Sequence, residues 1–247
     1  MRALLREGRP LVGGLVRMPA EELVEMLAVA GHDFVLIDCE HGPADLGALR
    51  HHIALADAHG MPVLVRPGER EPTFVQRALD QGAAGIVAPH IDDAGAAEEL
   101  VQWCRYPPQG RRGFATYTRT GRFGEVSPEQ HEHAAQDTLV IAMIESPHGV
   151  DAAHAILDVP GIDGYLVGTG DLSQTLRAVG GDHPRLEQCL ESVHTDGVAS
   201  DSLRCDIVST VEQADLAARQ GAHLVVYNVA SVLMGTLRDI RAVPGTR

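Results

Sequence analysis

Short apolar runs alternate with segments of helical periodicity along this chain, and this alternation constrains its fold more than any other feature. Such alternation predicts strands joined by helices in a parallel sheet. The predicted strands cover residues 11–16, 34–38, 62–65, 84–88, 139–144, 164–167, about 202–208 and 223–227. The predicted helices cover residues 20–30, 44–59, 72–81, 93–105, 149–157, a region near 184–194, 211–220 and 229–240.

Eight strand–helix units in 247 residues match the usual size of a (β/α)₈ TIM barrel. We therefore expect residues 1–247 to form a single α/β barrel domain. An open doubly wound sheet with helices on both faces is the alternative, because the number of strands alone does not exclude it. The seventh strand is expected to be weak, since residues 202–208 are polar.

The charge balance narrows the classes of partner. Twenty Lys and Arg residues against 34 Asp and Glu give a net charge of −14, which argues against nucleic acid. No run of apolar residues is long enough for a membrane span, and no signal peptide is recognised at the start. The four cysteines form no CxxC pair, so we expect reduced thiols in a cytoplasmic chain.

Polar residues stand where four predicted strands end: His41, Arg66, Glu145 and Asp171. In a TIM barrel the carboxyl ends of the strands form the catalytic face. A candidate base, a cation and two carboxylates on that face predict metal-assisted chemistry on a small anion. An acidic chain needs such a local cation, either a metal or an arginine, to bind an anion.

Glu145 and Asp171 are the candidate metal ligands. Mg²⁺ and Mn²⁺ prefer oxygen ligands and keep positions for water or substrate oxygens. A 2-oxo acid offers a keto and a carboxylate oxygen, and chelation would polarise the carbonyl and stabilise an enolate. The alternative interpretation is that each carboxylate caps the following helix or pairs with an arginine.

His41 is the candidate base, and Asp38 could orient its ring. Arg66 could hold a carboxylate or an enolate oxygen through its planar donors. The turn 168–171 (Gly-Thr-Gly-Asp) could bind a carboxylate through backbone N–H groups, and we expect only a short helix after it. Other histidines are interpreted as surface groups: His32, His51, His52, His59, His131, His133 and His154.

Residues 106–137 form an unusually long polar stretch with four arginines, at 111, 112, 119 and 122. Long loops of this kind are usually functional or disordered. The stretch could be a lid or a site for a substrate carboxylate, or equally a solvated loop or a subunit contact. Arg112 is the arginine expected to point inward and bind substrate.

Taken together, these segments resemble the HpcH/HpaI aldolase family of metal-dependent class II pyruvate aldolases. The matching segments follow the family order at 34–41, 65–67, 82–89, 106–113, 144–145 and 161–173. The resemblance implies a carbon–carbon lyase that forms or cleaves a 4-hydroxy-2-oxo acid, acting on a small 2-oxo acid and an aldehyde. It also implies a divalent cofactor, Mg²⁺, Mn²⁺ or Co²⁺.

The resemblance also implies roles for individual residues. Glu145 and Asp171 match the metal ligands, His41 with Asp38 the base, and Arg66 the arginine beside the pyruvate oxygen. The amides of Gly170 and Asp171 match the carboxylate site. One further match, Asp80, corresponds to an acidic residue that reaches a neighbouring subunit's site. Family members are typically hexamers that exchange the last helix, here about residues 229–241.

Two departures from the family pattern concern the second substrate. Met143 stands where a substrate-facing Gln is usual, and His90 follows Pro89 where Met or a similar residue is usual. Two other functions therefore stay open. One is a citrate synthase-like condensation of oxaloacetate with acetyl-CoA in siderophore biosynthesis, which the turn 168–171 and the Arg-rich stretch would suit. The other is a non-catalytic binding barrel.

Overall fold

Eight parallel strands close in chain order in the computed structural model, which describes residues 1–43, 45–179 and 185–241. The strands are β1 (Leu11–Val16), β2 (Phe34–Asp38), β3 (Val63–Arg66), β4 (Gly85–Ala88), β5 (Leu139–Ile144), β6 (Gly164–Val167), β7 (Leu203–Val208) and β8 (Leu224–Asn228). Strand β8 pairs with β1, with Gly13 opposite Val226. This closure confirms the predicted (β/α)₈ barrel and excludes the doubly wound alternative, whose sheet stays open.

Helices connect successive strands and surround the barrel. They are α1 (Arg2–Leu5), α2 (Glu21–Val29), α3 (Leu46–Ala58), α4 (Pro72–Gln81), α5 (Ala94–Cys104), α6 (Pro128–Ala135), α7 (Pro147–Asp151), α8 (Ala153–Leu157), α9 (Thr169–Val179), α10 (Leu186–Ala199), α11 (Val211–Arg219) and α12 (Val229–Arg241). Side-chain caps start several of them; the Asp45 carboxylate, for example, accepts from the N–H groups of Gly47 and Ala48. Across the described ranges, no helix combines the length and apolar character needed to cross a bilayer.

The helix that follows β6 differs from the prediction. A short helix was expected after Asp171, but this residue lies in the first turn of α9, which has 11 residues. Leu172 and Leu176, one turn apart, pack against the core and stabilise the longer helix. The region predicted near 184–194 is α10, and the predicted helix 149–157 is divided between α7 and α8. Two predicted helix starts, Ala44 and Pro184, lie outside the described residues.

Apolar side chains alternate between the two faces of the strands. One buried cluster fills the barrel interior: Leu11, Leu15, Phe34, Leu36, Leu64, Val87, Leu139, Ile141, Met143, Leu166, Cys205, Leu224 and Val226. A larger cluster packs the outer strand faces against the helices. This period of two is the ordinary alternation of a β-strand, and it decides which side chains reach the mouth of the barrel.

Strand β7 is regular despite its polar sequence, so the expectation of a weak strand was wrong. It pairs with both β6 and β8. Arg204 and Asp206 share one face and form an ion pair with Nη2–Oδ2 of 2.6 Å. Cys205, between them, is buried in the interior cluster. The polar side chains thus satisfy each other while the intervening residue packs.

Residues 106–137 lie against the amino end of the barrel. Arg112, Thr120 and His131 line a cavity together with Ala84 and Thr138. The last two residues directly precede β4 and β5, so they mark the ends of the strands opposite the catalytic face. The interpretation of this stretch as a lid is therefore wrong for the site of the same chain, because the stretch lies at the opposite end of the barrel.

Two histidines interpreted as surface groups are buried instead. His131 is hydrogen-bonded to the Tyr106 hydroxyl, with 2.9 Å between Nε2 and Oη. His52 is fully buried in α3, and neither ring nitrogen has a hydrogen-bond partner among the described residues. Periodicity did not reveal this burial, because a histidine fits either face of a helical pattern.

Candidate active site

Strand alternation brings polar side chains to the carboxyl end of the barrel. In β5, Met143 faces the interior, and Glu145, two positions later, points the same way. The same alternation carries Asp38 at the end of β2 and Arg66 at the end of β3 to the top of the interior. All four side chains are buried, which means that they form the floor of a site and not a solvated rim.

Asp38 and Arg66 form the floor's central ion pair. Arg66 donates from Nε to Oδ1 at 2.9 Å and from Nη2 to Oδ2 at 2.5 Å. Arg17 adds a third donor, from Nε to Oδ2 at 2.8 Å. Burial opposes ionisation of Asp38, but the hydrogen bonds and charge of Arg66 outweigh it and hold the carboxyl pKa below its ordinary value. The pair is therefore ionised and its geometry is fixed.

His41 lies at the edge of this floor with an exposed ring. The expected orienting contact from Asp38 is absent: Asp38 Oδ1 instead accepts from the backbone N–H of His41 at 3.2 Å. The ring faces Glu40, with 3.7 Å between Nε2 and Oε2. The expectation that Asp38 orients the ring was wrong, because Arg66, Arg17 and two backbone N–H groups already occupy its oxygens.

Glu145 is the buried carboxylate of the site. Its Oε1 accepts from the backbone N–H of His90 at 2.8 Å, and the His90 ring Nδ1 lies 3.2 Å from the same oxygen. Burial raises the pKa of Glu145, and the nearby charges of Glu40 and Asp171 raise it further against the opposing effect of His90. A cation bound nearby would stabilise the ionised form of a carboxylate in this environment.

The turn after β6 completes the site. A Cβ atom at Gly168 would lie 2.4 Å from Glu145 Oε2, so only glycine fits at this position. The chain then enters α9, whose first turn contains Thr169, Gly170 and Asp171. The first backbone N–H groups of a helix have no partner within the helix and attract anions. Thr169, Gly170 and Asp171 all line the cavity, so this helix end lies where it could bind an anion.

A cavity of about 550 Å³ gathers most of the predicted residues. His41, Arg66, Met143, Gly170 and Asp171 all line it. Asp38 and Glu145 lie directly beneath, in contact with Arg66 and Gly168 respectively. The structure thus brings the predicted residues of four strand ends to one place.

Arg112 and Asp80 do not join this group. Arg112 donates from Nη2 to Asp80 Oδ1 at 2.7 Å and stacks over Tyr106, with 4.7 Å from Cζ to the ring centroid. Arg112 points inward as expected, but at the amino end of the barrel. Arg112 lies at the opposite end of the barrel from the cavity, so the prediction that it binds substrate is wrong for the cavity of the same chain.

Three residues at the site carried no functional assignment from sequence, Arg17, Glu40 and Asn228, and His90 was noted only as a departure that concerns the second substrate. Arg17 donates to Asn228 Oδ1 at 3.2 Å as well as to Asp38. Both stand two positions after inward-facing residues of β1 and β8, so strand alternation was the signal that could have identified them. Glu40 and His90 lie in loops, where no such periodicity applies.

The charge of the site favours a cation. Two arginines (Arg17, Arg66) face four carboxylates (Asp38, Glu40, Glu145, Asp171), which leaves a surplus of two negative charges. In the part of the chain that the structure describes, no three His, Cys, Asp or Glu side chains form a metal cluster. Two carboxylates with open positions suit Mg²⁺ or Mn²⁺, which retain water or substrate oxygens. These features define a barrel enzyme site for a small anion.

Comparison with known proteins agrees with this class. The family model described as "HpcH/HpaI aldolase/citrate lyase" matches residues 16–232, and the chain belongs to this family. A hydroxypyruvate/pyruvate aldolase of Roseobacter denitrificans is 33% identical over 96% of this chain and 94% of its own. An HpcH/HpaI aldolase from Desulfitobacterium hafniense superposes with a TM-score of 0.89 at 28% identity, covering 100% and 98% of the two chains.

The citrate synthase SbnG also superposes, with a TM-score of 0.84 at 27% identity over 98% of this chain and 97% of its own. The resemblance drawn from sequence is thereby confirmed. The family match and the aldolase relatives support a pyruvate-type aldolase, a carbon–carbon lyase. The HpcH/HpaI aldolase family is generally dependent on divalent metals.

Proposed function

We propose that this protein is a metal-dependent aldolase that forms or cleaves a 4-hydroxy-2-oxo acid through the enolate of pyruvate or a related 2-oxo acid. The observation that carries the proposal is one cavity lined by Arg66, the amino end of α9 and Asp171, with the Glu145 carboxylate directly beneath it. A 2-oxo acid presents a carboxylate and a keto oxygen. The amino end of α9 could bind the carboxylate, and Arg66 with a bound cation could stabilise the keto oxygen.

Glu145 and Asp171 would hold the divalent metal. The support is the chemistry of the donors: two carboxylates in a pocket with surplus negative charge, one of them with a pKa raised by burial and by its acidic neighbours. When bound, the metal supplies Lewis-acid polarisation of the substrate carbonyl. Mg²⁺, Mn²⁺ and Co²⁺ all suit such a site in principle, with Mg²⁺ and Mn²⁺ favoured by its oxygen donors.

The chain's own groups would orient the 2-oxo acid. The N–H groups of Gly170 and Asp171 in the first turn of α9 would bind the substrate carboxylate, as helix N-termini do for anions. Arg66, fixed by Asp38, would place its remaining donor beside the oxygen that becomes negative in the enolate. A donor held in place before the reaction loses little free energy to reorientation.

His41 would remove a proton from the substrate methyl group, directly or through one water molecule. Its ring is exposed at the cavity and faces Glu40, with 3.7 Å between Nε2 and Oε2. Because Asp38 does not touch the ring, the orienting partner would be Glu40. In the synthetic direction the enolate carbon adds to an aldehyde, and cleavage is the reverse.

Met143 would limit which second substrates fit. Its sulfur lies 3.6 Å from Arg66 Nη1 and the side chain lines the cavity. A thioether is only a weak acceptor, so this wall offers less to a hydroxylated substrate than an amide would. The relative from Roseobacter denitrificans is named for hydroxypyruvate and pyruvate, and both are 2-oxo acids that the proposed site would admit.

An aldol assay tests the proposal. Metal-free protein is incubated with pyruvate or hydroxypyruvate and a set of aldehydes, with and without Mg²⁺, Mn²⁺ or Co²⁺, and products are identified by mass spectrometry. Metal-dependent formation of a 4-hydroxy-2-oxo acid supports the proposal. Glu145→Gln should abolish it, and the exposed-site variant Asp215→Asn should not. The absence of product with every metal and aldehyde contradicts it.

A citrate synthase-like condensation is the second candidate, favoured by the superposition with SbnG. The Arg-rich stretch gives it less support than the sequence indicated. Arg112 is paired with Asp80, and Arg119 donates to Asp57 at 2.6 Å. Incubation with oxaloacetate and acetyl-CoA, followed by measurement of free thiol, distinguishes the two reactions.

We propose further that the chain forms an oligomer in which α12 packs on a second copy. Helix α12 makes its principal contacts with β1 and β8. Its apolar side chains remain exposed: Val232, Leu233, Met234, Leu237 and Ile240. Exchange of this helix in a hexamer would bury them. Light scattering of the wild type and Leu237→Glu tests this: the variant should be smaller, and a monomeric wild type contradicts the proposal.

A further inference from the structure

His90 occupies an unusual backbone conformation directly after β4. Its φ of 53° lies in the left-handed region, which few residues other than glycine adopt. Asparagine and glycine tolerate this conformation better than histidine does. The strained backbone aims the N–H of His90 at Glu145, so the conformation and the contact belong together.

The backbone N–H and the ring Nδ1 of His90 both lie close to the same carboxylate oxygen. The backbone N–H donates to Glu145 Oε1 at 2.8 Å, and ring Nδ1 lies 3.2 Å from that oxygen. Ring Nε2 lies 3.5 Å from Glu40 Oε1 on the other side. The imidazole therefore bridges two carboxylates at the floor of the cavity.

The second oxygen of Glu145 faces a different part of the site. Oε2 lies next to Gly168, where a Cβ atom would approach it to 2.4 Å. Gly168 begins the turn that leads to Asp171, the other carboxylate. One oxygen is thus held by His90, and the other is directed toward the turn after β6.

We propose that His90 is a positioning residue that fixes the Glu145 carboxylate, so that Oε2 is presented to a divalent cation shared with Asp171. This inference rests on the proposed metal site and deepens it. Hydrogen bonds to a ligating carboxylate orient it and commonly change metal affinity about 10- to 100-fold when removed. The role is positioning and not direct ligation, since both ring nitrogens face carboxylate oxygens, Nδ1 that of Glu145 at 3.2 Å and Nε2 that of Glu40 at 3.5 Å.

Two substitutions separate the ring from the backbone. His90→Gly keeps a residue suited to the left-handed conformation and keeps the N–H donor, but removes the imidazole. His90→Asn also suits this backbone and restores a side-chain donor. The matched control is His51→Ala, because His51 is an exposed residue of α3. Thermal melting confirms that each variant is folded.

The readout is Mn²⁺ affinity of the metal-free proteins, measured from the free Mn²⁺ signal in electron paramagnetic resonance. His90→Gly should weaken binding about 10- to 100-fold, His90→Asn should recover part of the loss, and the His51→Ala control should bind as the wild type does. Equal affinity of His90→Gly and wild type overturns the inference while leaving the metal site intact. A wild type that binds no Mn²⁺ overturns the metal site itself, and with it this inference.

A spectroscopic measurement distinguishes positioning from ligation. Electron spin-echo modulation of the Mn²⁺ complex detects a nitrogen in the metal's coordination shell. The positioning role predicts no directly bound nitrogen in the wild type. A strong nitrogen coupling that disappears in His90→Gly would overturn it in favour of a direct His90 ligand.

Discussion

Arg66 and Asp38 are joined by two parallel contacts at the floor of the cavity, Nε to Oδ1 at 2.9 Å and Nη2 to Oδ2 at 2.5 Å. Asp38 is fully buried and Arg66 nearly so. The two residues end neighbouring strands and stand opposite each other in the register of β2 and β3. The pairing of strands in the barrel therefore fixes the position of the arginine that lines the cavity.

Asp38→Asn should destabilise the protein strongly. It leaves Arg66 and Arg17 without their shared counter-charge, and breaking a buried pair by removing one partner typically costs about 3–5 kcal/mol. Urea unfolding measures the change in the free energy of unfolding. The control is Asp215→Asn, which breaks an exposed pair with Arg219 and should change stability by about 1 kcal/mol or less. An equal decrease in the free energy of unfolding in the two variants would show that the buried pair stabilises the protein no more than the exposed pair does.

Gly168→Ala should lower the activity about 100-fold without unfolding the barrel. The new Cβ would lie 2.4 Å from Glu145 Oε2 and 2.5 Å from Glu145 Cβ, so the carboxylate must move. A displacement of about 1 Å at a reacting site can cost about 100-fold in rate. Steady-state kinetics of aldol cleavage measures the effect, with Gly95→Ala in α5 as control, because a Cβ atom there would lie 3.1 Å from Asp93 Oδ1 and Gly95 does not line the cavity. Unchanged kcat in Gly168→Ala would contradict the close fit.

The buried His52 should make stability depend on pH. Burial lowers the pKa of His52 below its ordinary value, while the unfolded chain titrates near 6.5. As pH falls below about 6.5, the unfolded state binds the extra proton first, so the free energy of unfolding decreases. Above that pH the His52 ring is neutral in both the folded and the unfolded state, so it no longer makes the free energy of unfolding depend on pH.

His52→Leu should remove this dependence and raise stability by about 1 kcal/mol at neutral pH, since an unpaired buried polar group is lost. Urea unfolding between pH 5.5 and pH 7.5 compares it with wild type and with a control at His133, which is exposed. If the His133→Leu curve changes slope and the His52→Leu curve does not, the assignment to His52 is wrong.

The fold could be predicted from sequence because its signals are local. Each strand is a short apolar run and each helix has its own periodicity, so even the polar β7 was located at residues 202–208, within a residue of its observed bounds. Strand ends identify the carboxyl face of a barrel without knowledge of its packing. Asp38, Arg66 and Glu145 were found in this way.

Contacts that depend on the path of a loop could not be predicted in the same way. Arg112 was expected near substrate, but its loop passes to the amino end, where Asp80 binds it. The His41 ring turned out to face Glu40 because Asp38 is saturated by other donors. His90 needed a backbone conformation that no pattern in the sequence encodes.

Exchange of the pyruvate methyl protons with solvent deuterium is a direct test of metal-dependent enolate formation, since it requires the enolate but no second substrate. Metal-free protein is incubated with pyruvate in deuterium oxide, metal is added, and mass spectrometry follows deuterium uptake. We expect uptake that depends on Mg²⁺, Mn²⁺ or Co²⁺, stops on chelation and is lost in Glu145→Gln. Folded wild-type protein that gives no uptake above the protein-free rate with any of the three metals would contradict it.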